Sequence, residues 1–271
     1  MKIAFIGGGN MGEAMLAAIL EKKLGAAADI AVSDIKEERR AYLEKKYGVA
    51  ATASNQEAAA GKDVVVLAVK PQNLAVAAGE LAVSLKPAQL VLSILAGKNL
   101  NTLTRSLGHE RIVRAMPNTP AQIGAGVSAW TATAGVTEKQ KEQARAILGA
   151  MGREIYFDDE KYLDMATAVS GSGPAYFFLM AEAMSGAAQN IGLSPEAAGA
   201  LVAETMLGAA RLLKASGKAP AELRRGVTSP GGTTAAAIDV FEKGGFSGLI
   251  AEAVRAAYKR AQELGSEGRL K

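Results

Sequence analysis

Up to about residue 160 the chain alternates two textures. Short runs rich in apolar and β-branched residues recur at 2–6 (KIAFI), 30–34 (IAVSD), 63–69 (DVVVLAV), 90–95 (LVLSIL), 111–116 (RIVRAM), 126–132 (GVSAWTA) and 153–157 (REIYF). Several are apolar at nearly every position, the pattern of strands covered by helices on both faces. Between them, residues 10–23, 36–47, 71–85 and 137–150 carry helical spacing and length, and a short third strand is expected just before Asn55, where another helical segment begins. Strand–helix–strand alternation with apolar strands predicts a doubly wound, mostly parallel sheet.

Beyond residue 160 the strand pattern stops. Residues 174–191 are apolar around most of the helical circumference, which predicts a helix buried on more than one side. A second helix is expected from Ser194-Pro195-Glu196, with Ser194 as N-cap and Pro195 in the first turn, to about Ser216, with Gly217 as its stop. Helices at 219–225, 230–243 and 246–264 complete the series. The chain therefore reads as an α/β domain over 1–160 and an all-α domain over 161–271. A helical domain of that size with an almost non-polar helix is expected to complete its core with a second copy.

Composition narrows the chemistry. Of 271 residues, 49% are hydrophobic and 21% charged, enough for a folded core and too apolar for a disordered chain. There is no cysteine, which removes disulfide scaffolds, thiolate nucleophiles and Cys-ligated zinc, and a single histidine, which strains a His-rich metal site or a serine–histidine triad. No metal site is read. The net charge of +4 comes from Lys and Arg scattered beside Glu, a solvated surface and not a nucleic-acid footprint. No apolar run approaches the ~20 residues of a membrane span, and the opening MKIAFI is read as a strand and not a secretory leader, so a cytoplasmic location is expected. His109, in the polar stretch LGHER, is expected at the surface.

Gly7-Gly8-Gly9-Asn10-Met11-Gly12 satisfies G-x-G-x-x-G at Gly7, Gly9 and Gly12. The pattern alone is weak. Here it follows an apolar strand and opens a helix within a strand–helix–strand unit, the context that makes it a dinucleotide site. Gly7 serves the tight turn, Gly9 the approach of a pyrophosphate and Gly12 the packing of helix on strand, while the helix N-terminus presents free N–H groups to the phosphates. Asp34 lies 22 residues after Gly12 at the end of the second strand, where a carboxylate binds the ribose hydroxyls of NAD or, alternatively, caps the next helix. Ser33, Lys36 and Arg39 are placed to hold a 2′-phosphate instead, so these residues leave NAD and NADP both open. Asn55 either reaches the adenosine or caps its own helix. Ala68-Val69-Lys70 and Met116-Pro117-Asn118 end two further strands at the carboxyl edge, where open α/β sheets bind ligands.

A second motif stands in the helical half. Ala168-Val169-Ser170-Gly171-Ser172-Gly173-Pro174 and Val227-Thr228-Ser229-Pro230-Gly231-Gly232-Thr233-Thr234 each read as a hydroxyl- and glycine-rich loop feeding a helix, either a well-capped helix start or a site for an anion such as a substrate carboxylate.

The segments IGGGNMGEA, AVKPQ, RAMPNTP, AVSGSGPAYFF and TSPGGTTAAAIDVFEKGGF, in this order, resemble pyrroline-5-carboxylate reductases over essentially the whole chain, SPGGTT being the most specific. The resemblance implies a Rossmann-type domain followed by an all-α dimerisation domain of the 6-phosphogluconate dehydrogenase C-terminal kind. It implies reduction of L-1-pyrroline-5-carboxylate to L-proline, the last step of proline biosynthesis, with NADPH as usual donor and NADH as alternative. It also implies a homodimer of interleaved helices, in some members assembled into decamers. By the same resemblance Thr234 hydrogen-bonds the substrate ring nitrogen, and Gly232 and Thr233, with Ser229, hold its carboxylate. Gly9, Asn10, Met11, Ser33, Asn55, Lys70 and the Met116–Asn118 turn contact the cofactor. Asp34 departs from the family's NADPH preference. A 6-phosphogluconate or 3-hydroxyacid dehydrogenase shares the layout but places a lysine on the first buried helix, and residues 172–192 contain none. A dinucleotide-sensing binding protein is the alternative outside enzymes, and the sequence offers it no DNA-reading element.

Overall fold

The structure, a computed structural model, describes residues 1–266. It divides into two compact units, one of Met1–Ser172 with residues from Ala257 onward, the other Gly173–Ala256.

The first unit is built on an eight-stranded sheet: β1 (Ile3–Ile6), β2 (Ile30–Ser33), β3 (Ala50–Thr52), β4 (Val64–Leu67), β5 (Leu90–Ser93), β6 (Ile112–Met116), β7 (Gly126–Ala132) and β8 (Gly152–Tyr156). Their order is β3-β2-β1-β4-β5-β6-β7-β8, parallel except where β7 runs antiparallel to β6. Strands β1, β2, β4 and β5 are buried along their whole length, as their unbroken apolar runs require. Successive residues feed opposite faces: Ile3, Phe5, Val64 and Val66 join one core with Trp130, and Ala4, Ile6, Val65 and Leu67 join the other. The helices are α1 (Asn10–Glu21), α2 (Glu37–Tyr47), α3 (Asn55–Ala59), α4 (Leu74–Leu81), α5 (Leu100–Leu107), α6 (Glu138–Gly149) and α7 (Lys161–Ala166). Helix α5 is capped by the Asn99 side chain and stopped by left-handed Gly108, and α6 opens with a Thr137–Gln140 capping box.

The strand pattern ends at Tyr156, but the α/β unit does not. Arg114 on β6 is buried and pairs with Glu160 at 2.8 Å and Asp164 at 2.9 Å, tying α7 to the sheet. Gly97 and Asn99 meet Leu264 and Gly265 near the chain's end. His109 is a correction: it is buried, its Nε2 2.8 Å from the carbonyl of Gln89. The left-handed turn at Gly108 swings it inward from a stretch that reads as polar.

The second unit is helical: α8 (Gly173–Asn190), α9 (Pro195–Ser216), α10 (Pro220–Gly226), α11 (Thr233–Lys243) and the first part of α12 (Phe246–Ser266). Ser194 caps α9 through the Ala197 N–H and Gly217, at φ +66°, stops it, as the sequence predicts. Among the described residues of this unit only Gly173, Ala198 and Val202 are buried. Phe177, Phe178 and Leu179 are 65%, 64% and 66% exposed. Helix α8, expected to be buried on more than one side, thus has apolar faces open in the single chain.

Candidate active site

Between β1 and α1 the chain turns through three glycines. Gly7 adopts φ +100°, and a Cβ there would lie 2.8 Å from the backbone of Ala68 and Val69, so a side chain is excluded where β1 and β4 deliver the turn. At Gly12 a Cβ would sit 2.5 Å from the Gly7 carbonyl oxygen, which is how α1 packs so close under the turn. Gly9 differs, since a Cβ there would meet no atom within 4 Å. The Gly9 position faces open space at a helix start with no side-chain cap, so the first-turn N–H groups of Asn10, Met11 and Gly12 are left for something else. This cradle fits a dinucleotide pyrophosphate.

At the end of β2, the buried Ser33 hydroxyl donates to Asn55 Oδ1 at 2.6 Å. Asn55 does not cap its helix; Ser54 does, through the Glu57 N–H. Asp34 does not cap α2 either, whose N-cap is Lys36. The Asp34 carboxylate instead accepts the N–H of Gly8 on one oxygen and that of Lys36 on the other, each at 2.9 Å. Arg39 reaches back to the Gly8 carbonyl and pairs with Glu13. Glu13 also accepts from Lys46, Tyr42 and Tyr47. Burial alone raises the Glu13 carboxyl, but hydrogen bonds from Lys46, Arg39, Tyr47 and Tyr42 outweigh it and hold the pKa at about 2. This cluster was not singled out from the sequence, although residues 39, 42 and 46 share one face of α2 at helical spacing.

Ala68 and Val69 follow β4 against the Gly7 turn, with Lys70 exposed beyond them just before Pro71. At the end of β6, Pro117 is buried and Asn118 Oδ1 accepts the Val127 N–H at 2.9 Å, fixing that turn to β7. The segment before Pro174 is another correction. Thr167–Gly171 is no loop but a π-helical turn continuing α7, with Ser172 as the one bend before α8. The Ser172 N–H closes this turn by donating five residues back to the Thr167 carbonyl at 2.8 Å, and Gly171 packs where a Cβ would lie 2.9 Å from Met116 Cε. The Ser170 hydroxyl is buried without a partner.

In the helical unit, Ser229–Gly232 does form a turn. Gly231 has φ +71°, and the Gly232 N–H donates to the Ser229 carbonyl at 3.1 Å. Gly232 is the N-cap of α11, without a side-chain cap, so Thr233 and Thr234 lie in a helical first turn with free N–H groups. Thr233 is exposed and Thr234 half-buried. Among the described residues no cluster of three or more His, Cys, Asp or Glu could hold a metal, and no helix is long and apolar enough to cross a membrane.

Strand order 3-2-1-4-5-6 with a glycine cradle at the first crossover defines a Rossmann-type, nicotinamide-dependent oxidoreductase carrying a helical C-terminal domain. Residues 160–264 match the family model for pyrroline-5-carboxylate reductase dimerisation, and residues 2–97 that for coenzyme F420-dependent NADP oxidoreductases. The chain belongs to the pyrroline-5-carboxylate reductase family. It is 46% identical to the pyrroline-5-carboxylate reductase of Pseudomonas aeruginosa over 98% of this chain and 97% of that one. To the Synechocystis reductase it is 44% identical, over 98% and 99% of the two chains. Among solved structures, a Coxiella burnetii pyrroline-5-carboxylate reductase superposes with TM-score 0.90 at 39% identity, covering 97% of this chain and 98% of that one. The Plasmodium falciparum pyrroline carboxylate reductase with NADP bound gives 0.89 at 31% identity, covering 98% of each.

Proposed function

We propose that this chain reduces L-1-pyrroline-5-carboxylate to L-proline, the last step of proline biosynthesis, with NADPH as preferred donor and NADH as alternative. The observation that carries the reading is 46% identity to a pyrroline-5-carboxylate reductase over 98% of the chain. The NADP-bound Plasmodium relative supports the choice of donor. By function, residues 1–160 serve as the cofactor domain and the chain from 161 onward as the substrate-binding and dimerisation domain, although 161–172 and the segment from Ala257 pack with the α/β unit.

In this reading Gly7, whose own N–H is bonded to the Ser33 carbonyl, makes the turn, and Gly9, Asn10, Met11 and Gly12 form the cradle that holds the pyrophosphate through the N–H groups at the start of α1. Ser33, Asp34 and Asn55 frame the adenosine end, and Ala68, Val69, Lys70, Met116, Pro117 and Asn118 line the nicotinamide side. The bound nicotinamide supplies the hydride. The turn of Ser229, Gly232 and Thr233 holds the substrate carboxylate, with the first-turn N–H of Thr233 as a free donor while the Gly232 N–H closes the turn on Ser229, and the Thr234 hydroxyl hydrogen-bonds the ring nitrogen. A protonated cyclic imine is already electrophilic, so orientation, worth on the order of 7–11 kcal/mol, matters more than a strong protein acid. That suits a chain with no cysteine and with its one histidine buried on a backbone carbonyl.

The apolar residues left open on α8 support a homodimer of interleaved helices, with decamers as a further assembly, in the cytoplasm. The deciding assay follows oxidation of NADPH and of NADH with the imine and measures proline. Turnover yielding proline is expected, faster with NADPH. A folded dimer that oxidises neither would overturn the reading.

A further inference from the structure

The two peptide units that flank Gly8 are each held by a side chain. Asp34 Oδ2 accepts the Gly8 N–H at 2.9 Å, and Arg39 Nε donates to the Gly8 carbonyl. A side chain at Gly8 would crowd the core beneath it, since a Cβ there would lie 2.6 Å from Leu43 Cδ1 and 3.2 Å from Val32 Cγ1. Both grips are themselves anchored. The other Asp34 oxygen accepts the Lys36 N–H at 2.9 Å, and Arg40 donates to the Asp34 carbonyl at 2.8 Å. The far edge of Arg39 is paired with Glu13, which Lys46, Tyr42 and Tyr47 hold in turn. Each Asp34 oxygen thus accepts one backbone N–H, one from the glycine turn and one from the start of α2, so the carboxylate's orientation is set by the backbone on both sides.

We propose that Asp34 and Arg39 are positioning residues, Asp34 holding the Gly7–Gly8 peptide and Arg39 the Gly8–Gly9 peptide, that together fix the conformation of Gly8 and hence how Gly9 meets a pyrophosphate, and that neither selects between NADH and NADPH. The proposal rests on the reading that this turn holds a nicotinamide dinucleotide. Its discriminating consequence lies in signs. If the two side chains acted by charge on a 2′-phosphate, removing the carboxylate would favour NADPH and removing the guanidinium would disfavour it. As two halves of one clamp, they act alike on both cofactors.

The test measures Kd and KM for NADPH and NADH in wild type, Asp34→Ala, Arg39→Met and the double variant. Each single change is expected to raise both Kd values by about tenfold, the effect of one lost charge-assisted hydrogen bond. The NADPH-to-NADH ratio should stay within about threefold of wild type, and KM for the imine should not move. The double variant should resemble either single one, because both hold the conformation of the same residue, Gly8. Asp34→Asn, which keeps one oxygen for the Gly8 N–H, should fall between wild type and Ala and guards against an alanine variant that does not fold. Opposite shifts of the ratio in the two single variants, beyond about tenfold, would overturn the proposal, and so would unchanged Kd values in both. Wild-type protein that binds neither dinucleotide would instead refute the functional reading beneath it.

Discussion

Glu13 offers a direct test of how much the cluster behind the glycine turn contributes to stability. The perturbation is Glu13→Gln, which keeps the shape and removes the charge that Arg39, Lys46, Tyr42 and Tyr47 converge on. A carboxyl held at about 2 against an ordinary 4.5 corresponds to about 3.4 kcal/mol in favour of the folded state. Lys46 is 48% exposed, so solvent screening reduces the expected loss to about 1–2 kcal/mol. Because the folded pKa is depressed, this stability is fully present above the unfolded value near 4.5 and disappears as pH falls through about 2. Urea unfolding of both proteins should therefore show the full gap at about pH 7 and less than half of it at about pH 3. An equal gap at both pH values, or one below about 0.3 kcal/mol at neutral pH, would refute the assignment of the stabilisation to the ionised carboxylate.

Arg114→Leu should cost about 2–4 kcal/mol in urea unfolding, because it leaves Glu160 and Asp164 beside an apolar wall, and a loss under about 1 kcal/mol would mean that both carboxylates simply reach water. The glycines of the turn should separate by role. Gly7→Ala meets both a positive φ and the Ala68 backbone and should lose at least about 2 kcal/mol of stability. Gly9→Ala should leave stability within about 0.5 kcal/mol while weakening dinucleotide binding by about tenfold or more, as titration of either cofactor would show. Thr234→Ala should lower kcat/KM by about 10- to 100-fold, and an unchanged value would remove the hydroxyl from the reaction.

The strands of the α/β unit were legible because a strand covered on both faces needs apolar side chains at every position, and no other element has that signature at that length. The edge strand β3, Ala-Ala-Thr and only partly buried, carries no such signal and was inferred from the unit around it. Helix α5 escaped notice although Leu103 and Leu107 have helical spacing and are both buried, because the residues between them are polar. The stretch around Ser170 misled for a different reason. Two glycines, two serines and a proline have the composition of a loop, yet the Ser172 N–H bonds back to the Thr167 carbonyl and the stretch winds into a wide helical turn. The glycine cradle was readable from spacing in context. The grips of Asp34 and Arg39 on Gly8 were not, because a side chain meeting a backbone group in another element leaves no periodicity behind.

The sheet that supports the cradle also partitions the molecule's tolerance for change. Ile3 and Phe5 belong to one core and Ala4 and Ile6 to the other, so neighbours in sequence answer to separate packing problems. Side chains on opposite faces share no partners, so their substitutions should combine additively, while those within one face couple. A lineage can then drift through repacking on the Val65–Leu67 side without closing off paths on the Phe5–Trp130 side. Between two such reservoirs of neutral change, the turn at Gly7 stays pinned by backbone that neither face supplies alone.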